Sequence, residues 1–469
     1  MDQPKNSSGN ISRRSFLRFL GAGALLGAVT ACGVDSSQKK SAGIPGKQTG
    51  EMTRRLNQNT GDSVSVLGYG MMRLPMNESG PEEARVKVID QEEVNRLVDY
   101  ALEHGVNYFD TAPVYCQGKS EEATGIALSR HPRDSYYIAT KLSNFSPESQ
   151  SREKSMEMFE NSLRYLQTDY IDYLLLHAIG GGGMQSFNTR FVDNGILDWL
   201  IEQKKTGRIR NLGFSFHGDA EVFDTMLQWM DEGKVHWDFV QIQLNYIDWN
   251  RDKSHAARNT DAEYLYNELA KREIPAVIME PLLGGRLANL PDPIVEKMKS
   301  LRPSDSVASW AFRFAGTPPG VLTVLSGMTY MDHLQDNIAT YSSLEPISAD
   351  EDEFLKNTAT RYLAADLIPC TDCKYCMPCP YGLDIPAIFA HYNKCVNDDN
   401  MPWDRKDSRY AEARRAYLVG YDRSVPKMRQ ASRCIGCKEC ESHCPQEIKI
   451  SRRMREIDDY TSRLRSGKV

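Results

Sequence analysis

Three stretches decide how this chain is read: FDTAPVY at 109–115, IATK at 138–141 and LLLHAI at 174–179. Each is an apolar run that delivers a chemically capable side chain at its end: Asp110 and Tyr115, then Lys141, then His177. They belong to a longer alternation. Strands are expected at 64–67, 107–111, 136–140, 171–176, 209–214, 239–244, 276–279 and 321–325, where short apolar runs are bounded by polar and turn residues. Amphipathic stretches such as 91–103 and 155–166 fall between them with apolar positions at helical spacing. Eight strands and their helices over residues 51–345 suit an α/β fold, a (β/α)8 TIM barrel. A doubly wound sheet has a similar period. Reactive groups at the ends of three successive strands favour the barrel, because that rim is where barrel enzymes hold their chemistry.

The four side chains also make chemical sense together. Reducing a carbonyl leaves an oxyanion that needs a proton. A tyrosine is a weak acid at neutral pH, and an ammonium beside it favours the tyrosinate. Lys141 would do this for Tyr115, Asp110 would hold Lys141 charged, and His177 would donate a hydrogen bond to the carbonyl oxygen. Taken singly, each residue has a bland reading as core, rim or satisfied ion pair. All four in this order do not.

The quartet resembles the catalytic tetrad of the aldo-keto reductases, and VLGYGMMRLP (66–75) is similar to that family's first-strand segment. The resemblance covers residues 51 to about 345. It implies a small carbonyl or alcohol substrate, and it sets Ser215 and Gln241 where the family contacts the nicotinamide amide. Phe216 stands where that family has an asparagine. In SGMTYMDHLQDN (326–337), Gly327 and His333 replace the lysine and arginine that grip a 2′-phosphate, while Asp336 and Asn337 keep the ending that meets adenine. Two charge-assisted bonds are thereby lost. The resemblance leaves NAD(P), NAD alone and no free nicotinamide all open.

A different chemistry occupies the end of the chain. CTDCKYCMPCP (370–380) carries Cys370, Cys373, Cys376 and Cys379; CIGCKECESHCP (434–445) carries Cys434, Cys437, Cys440 and Cys444. The second is the C-x2-C-x2-C-x3-C-P run of a bacterial 4Fe–4S ferredoxin. The fourth cysteine of such a run serves the other cluster. Two 4Fe–4S clusters are therefore expected, one on Cys370, Cys373, Cys376 and Cys444, the other on Cys434, Cys437, Cys440 and Cys379. Zinc is the rival for paired C-x2-C steps. The first run is one residue short before Cys379, which leaves a single cluster as an alternative. More than fifty residues with helical patterns at 386–393 and 408–418 separate the runs, which resembles the α-helical ferredoxin type. Cys395 reads as helix filler and His443 as a surface residue.

The beginning of the chain reads as an address. Arg13-Arg14 before Phe16-Leu17, then an apolar run to Ala31, look like a twin-arginine export signal. Val29-Thr30-Ala31-Cys32 resembles a lipobox, so Cys32 is a candidate lipid anchor; cleavage after Ala31 without lipid is the alternative. The expected domains are a signal at 1–32, a linker at 33–50, the barrel at 51–345 and a mostly helical ferredoxin-like domain at 346–469. A periplasmic or membrane-anchored location follows, and the twin-arginine route suits cargo loaded with clusters before export. The 469 residues carry a net charge of −6, with 41% hydrophobic and 26% charged residues, so nothing global points to nucleic acid. The expected function is an iron–sulfur oxidoreductase that meets an electron-transfer partner. The alternative is an exported electron carrier or binding protein whose barrel no longer uses free nicotinamide.

Overall fold

The computed structural model describes residues 50–79, 86–249, 261–364, 367–402, 405–406 and 408–468. The expected export signal, with Cys32, and all but the last residue of the expected linker lie outside them. Strands β1 (Leu67–Gly70), β2 (Tyr108–Asp110), β3 (Tyr137–Leu142), β4 (Ile171–Ile179), β5 (Ile209–Phe216), β6 (Phe239–Gln243), β7 (Ala276–Met279) and β8 (Val321–Ser326) pair in parallel and in chain order. Val324 of β8 faces Leu67 of β1, which closes the barrel. The strands are apolar almost throughout because both faces are covered. Inside, Val64, Tyr108, Tyr173, Leu175, Phe239, Val277 and Leu322 fill the barrel. Outside, helices bury one stripe each; Gln91–Glu103 buries Val94, Leu97, Val98 and Ala101 and starts on the Asp90 side chain, which accepts from the Glu93 amide.

One expected strand is displaced. The alternation of residues 64–67 predicts the first barrel strand there. In the structure Ser63–Ser65 instead pairs antiparallel with Arg54–Leu56, and the barrel strand begins at Leu67. The cause is a plug. The turn of this hairpin brings Asp62 to the Tyr173 hydroxyl at 2.7 Å, and Asn57 to the side chain of Asn211, both at the amino-terminal ends of barrel strands. Alternation alone cannot tell a plug strand from the wall beside it.

Helix Ala349–Ala364 packs with the barrel: Leu355, Ala359 and Tyr362 join its core, and Glu351 meets Arg302 at 2.5 Å and Arg313 at 3.4 Å. The expected start of the tail domain at 346 therefore falls just before a helix that serves the barrel. Beyond it, helices Ile385–Asn397, Tyr410–Ser424 and Ile450–Arg465 surround a second core of Ile388, Phe389, Tyr421, Met454 and Ile457, with the cysteine loops at its edge. Among the described residues no helix is long and apolar enough to cross a membrane.

Candidate active site and cysteine centres

The carboxyl-terminal ends of β2, β3 and β4 bring Asp110, Lys141 and His177 together. Lys141 Nζ donates to Asp110 Oδ1 at 2.6 Å and to the Thr111 carbonyl at 2.8 Å, fully out of water. Burial pulls the Lys141 ammonium down and pushes the Asp110 carboxyl up, and each restrains the other's shift as an ion pair. Tyr115 lies on the turn after β2, its ring 4.9 Å from Lys141 Nζ and edge-on to the His177 ring at 5.9 Å. Burial pushes the Tyr115 phenol well above its ordinary value, and Tyr375, Asp110 and Glu280 act in the same direction. The expected lowering by Lys141 is thus outweighed by burial. A phenol held protonated suits proton donation.

Burial, with Lys141 and Arg190 beside it, drives His177 well below its ordinary value, so the ring is neutral. Its Nδ1 sits 2.6 Å from Ser143 Oγ. With the hydroxyl donating to Nδ1, the hydrogen is on Nε2, free to donate to a bound oxygen. Arg190 fixes this strand end by donating to the His177 carbonyl at 2.6 Å and the Ala178 carbonyl at 3.2 Å. Neither Ser143 nor Arg190 was singled out from the sequence. Ser143 stands two residues after Lys141, so its position was a usable signal; Arg190 lies in a short π-helical turn, Asn188–Val192, with none.

The expected nicotinamide contacts are mixed. Gln241 is buried on β6 and its Oε1 has no hydrogen-bond partner, which fits an amide donor. Ser215 Oγ already accepts from the Ala178 amide at 2.8 Å. Asp336 accepts from Ser306 at 2.6 Å, and Asn337 donates to Ser326 at 2.9 Å. Both are thus bonded to protein partners. Arg73 packs beside Gly327, but its guanidinium is used elsewhere.

That guanidinium ties the tail to the barrel mouth. Arg73 Nη2 donates to the Thr371 carbonyl at 2.5 Å, and Nη1 meets Asp372 at 3.3 Å. Gly284, after β7, has φ 68°, and a Cβ there would fall 2.2 Å from the Thr371 carbonyl oxygen. Only glycine lets the two backbones approach so closely. Glu280, at the end of β7, is held at about 7 by burial, with Arg73 opposing the shift. The same loop carries Cys373 and Tyr375 into the electrostatic reach of Tyr115. The first cysteine run therefore sits on the catalytic rim.

The eight cysteines fall into two sets. Burial pushes Cys370 up to about 12 and Cys373 to about 11, and Cys444 acts on both; Cys376, also raised by burial, feels Cys373, Cys370 and Cys444, and more weakly Cys440. Cys440, pushed up to about 12 by burial, feels Cys437, Cys379 and Cys434. Cys444 thus neighbours Cys370, Cys373 and Cys376, and Cys440 neighbours Cys379, Cys434 and Cys437, with Cys376 and Cys440 adjoining across the two. Crowded thiols of this kind are stable as thiolates only around a cation, which fits a metal centre. Among the described residues no group closes on a point as the ligands of a single ion do. The runs share a backbone device: Asp372 and Lys374 in one, Gly436 and Lys438 in the other, take positive φ between successive cysteines. In the first run the amides of Asp372 and Tyr375 donate to Cys370 and Cys373. Cys395 is buried with its sulfur 3.5 Å from His391 Nε2, apart from both sets, and His443 is exposed.

The family model described as "Aldo/keto reductase family" matches residues 66–354. The chain belongs to the aldo/keto reductase family. It is an oxidoreductase of that type, with a 4Fe–4S dicluster domain matched over residues 369–448. This aldo/keto reductase is similar to an L-galactose dehydrogenase of Arabidopsis thaliana, 24% identical over 310 residues that span 63% of this chain and 89% of that protein. A D-arabinose 1-dehydrogenase of Saccharomyces cerevisiae is 35% identical over 128 residues, 25% of this chain and 35% of its own length. Among solved structures, the thermostable aldo-keto reductase Tm1743 with the inhibitor epalrestat superposes with a TM-score of 0.50 at 21% identity, over 65% of this chain and 99% of that one. That likeness concerns the fold alone.

Proposed function

We propose that this aldo/keto reductase interconverts a small carbonyl and its alcohol at the barrel mouth and exchanges the electrons through two 4Fe–4S clusters. The observation that carries the reading is the seat of the first cysteine run: Thr371 rests on Gly284 and Arg73, and Cys373 and Tyr375 reach toward Tyr115. Cys370, Cys373, Cys376 and Cys444 would hold the cluster next to the barrel; Cys379, Cys434, Cys437 and Cys440 would hold the outer one. When bound, these groups supply or take up single electrons.

The chain's own residues handle protons and orientation. Tyr115, held protonated, gives its proton to the carbonyl oxygen as negative charge develops there, while the carbonyl carbon takes a hydride that a bound nicotinamide would supply. His177 Nε2–H donates to the same oxygen and fixes it. Lys141, paired with Asp110, stabilises the tyrosinate left behind until a proton returns. A nicotinamide, NAD(P), could sit against Gln241, the one expected contact with an unpartnered buried atom. Asp336, Asn337 and Ser215 would have to exchange present partners to join it. Those occupied side chains, and the loop on the rim, favour a second reading, an exported electron carrier or binding protein whose barrel uses no free nicotinamide.

Export by the twin-arginine route, with Cys32 lipidated or the chain cut after Ala31, belongs to the same proposal, as do the domains at 51–345 and 346–469. Arg13-Arg14 supports it, since a chain loaded with clusters in the cytoplasm must cross folded. The test is purification without oxygen, followed by measurement of iron, sulfide and bound nucleotide. Two loaded sets give about eight irons per chain. Zinc in place of iron would end the electron-transfer reading, and stoichiometric NAD(P) would remove the second one.

A further inference from the structure

The outer cysteine set opens on a surface unlike the rest of the molecule. Against a net charge of −6 for the whole chain, residues 423–438 carry Arg423, Lys427, Arg429, Arg433 and Lys438 and no acidic residue. Met428 is 65% exposed, Ile435 64% and Tyr381 46%, three large apolar side chains on the segments that carry the outer cysteines. Contacts of flanking residues link the segments that carry them. Arg433 Nη2 lies 2.9 Å from Met428 Sδ, Arg429 Nε donates to the Gly382 carbonyl at 3.3 Å, and Ile435 separates Cys434 from Gly436. Cys437 itself is exposed.

The acidic groups nearby are mostly engaged. Asp384 lies 3.7 Å from Arg429, Asp422 bonds Arg465 at 2.9 Å, and Glu441 is held by Ser451. Glu439 is the exposed exception. Lys427, Arg433 and Lys438 are exposed and make no ion pair among the described residues. Unpaired cations around exposed apolar side chains have the anatomy of a transient interface, with an apolar centre and a charged rim that steers the partner.

We infer that the face formed by Tyr381, Met428 and Ile435, rimmed by Lys427, Arg433 and Lys438, docks an acidic one-electron carrier protein. The inference rests on the reading that the outer thiols hold a cluster. In each encounter one electron crosses: the donor centre rises by one oxidation state, the acceptor falls by one, and no bond forms or breaks. The occupant is acidic because a basic carrier would face three unpaired cations of its own sign.

The probe is an acidic plant-type 2Fe–2S ferredoxin, titrated by calorimetry against the full-length, cluster-loaded protein at low and high salt. Binding that weakens with salt is expected. The double variant Lys427→Glu/Arg433→Glu should weaken it at least about fivefold, since each exposed pair contributes modestly. Met428→Ser, which leaves every charge in place, should weaken it by about twofold to threefold without changing the salt dependence. Iron and sulfide are measured on the same samples. A wild-type chain without clusters would overturn the reading underneath, whereas a loaded chain with unchanged affinity in both variants would overturn the docking face alone. Phosphatidylglycerol vesicles form the other arm. If the double variant loses vesicles while ferredoxin affinity stays put, the face meets a membrane and the inference is wrong.

Discussion

The two cysteine sets are built alike and seated differently. Both runs turn through positive φ at matching positions between their cysteines. Yet the Cys370 set lies half-buried on the barrel rim with Cys444 buried beneath it, while Cys437 of the other set is exposed. Local sequence built the loops; the barrel assigned their places. On the proposed reading the inner set faces Tyr115 and the outer set faces a partner, so damage to each should be distinguishable.

The largest effects come from the sets themselves. Cys444→Ser and Cys437→Ser should each cost about half the iron if both clusters load. With a reduced viologen as donor, carbonyl turnover should vanish in Cys444→Ser and persist in part in Cys437→Ser, because a small donor can bypass the outer set. Equal loss in the two variants would break the inner–outer distinction. Tyr115→Phe should lower turnover by about 10²- to 10⁴-fold with iron content unchanged, as expected for a lost general acid. Full activity in that variant would remove the tetrad from the chemistry.

The seat of the inner set is open to a packing test. Gly284→Ala drives a methyl into the Thr371 carbonyl at a backbone angle that alanine resists. A loss of about 2–3 kcal/mol in denaturant unfolding is expected, with the inner cluster lost before the outer one. Unchanged stability would mean that the loop does not rest on β7. The smallest effect lies away from both sets. Glu351 is held at about 2: burial works against it, but Arg302, the Ser348 amide and Arg313 outweigh that. A carboxyl with a depressed folded value stabilises fully above its unfolded value near 4.5, and that contribution is lost as pH falls toward 2. Glu351→Gln should remove about 2 kcal/mol at neutral pH, less than a dry pair because water reaches one side, and should flatten the acid limb of the unfolding curve. An unchanged acid limb would show that this helix does not lean on the barrel through its charge.

Much of the fold was legible because it rests on periodicity. Buried strands and amphipathic helices repeat, and seven of the eight expected barrel strands lie where their apolar runs do. The first moved because a plug strand and a wall strand share the same alternation. At the site, Asp110, Lys141 and His177 were found since strand ends point at the rim. Ser143, Arg190, Arg73, Glu280 and Tyr375 were not. Each is a lone polar or aromatic residue in a turn or loop, and its partner lies up to 298 residues away, as for Arg73 and Thr371.

By itself the sequence determined the elements: the alternation that closes a barrel, the four reactive side chains on its rim and two cysteine runs, the second at ferredoxin spacing and the first one residue short of it. These follow from short-range rules, since hydrogen bonding, side-chain period and ligand reach act over a few residues. The tertiary structure decided which cysteines face the rim and which face water, that Tyr115 is buried beside Lys141 and His177, and that Gly284 is a point where tail and barrel touch. Those are properties of surfaces meeting across hundreds of residues, where burial and close approach depend on every element between.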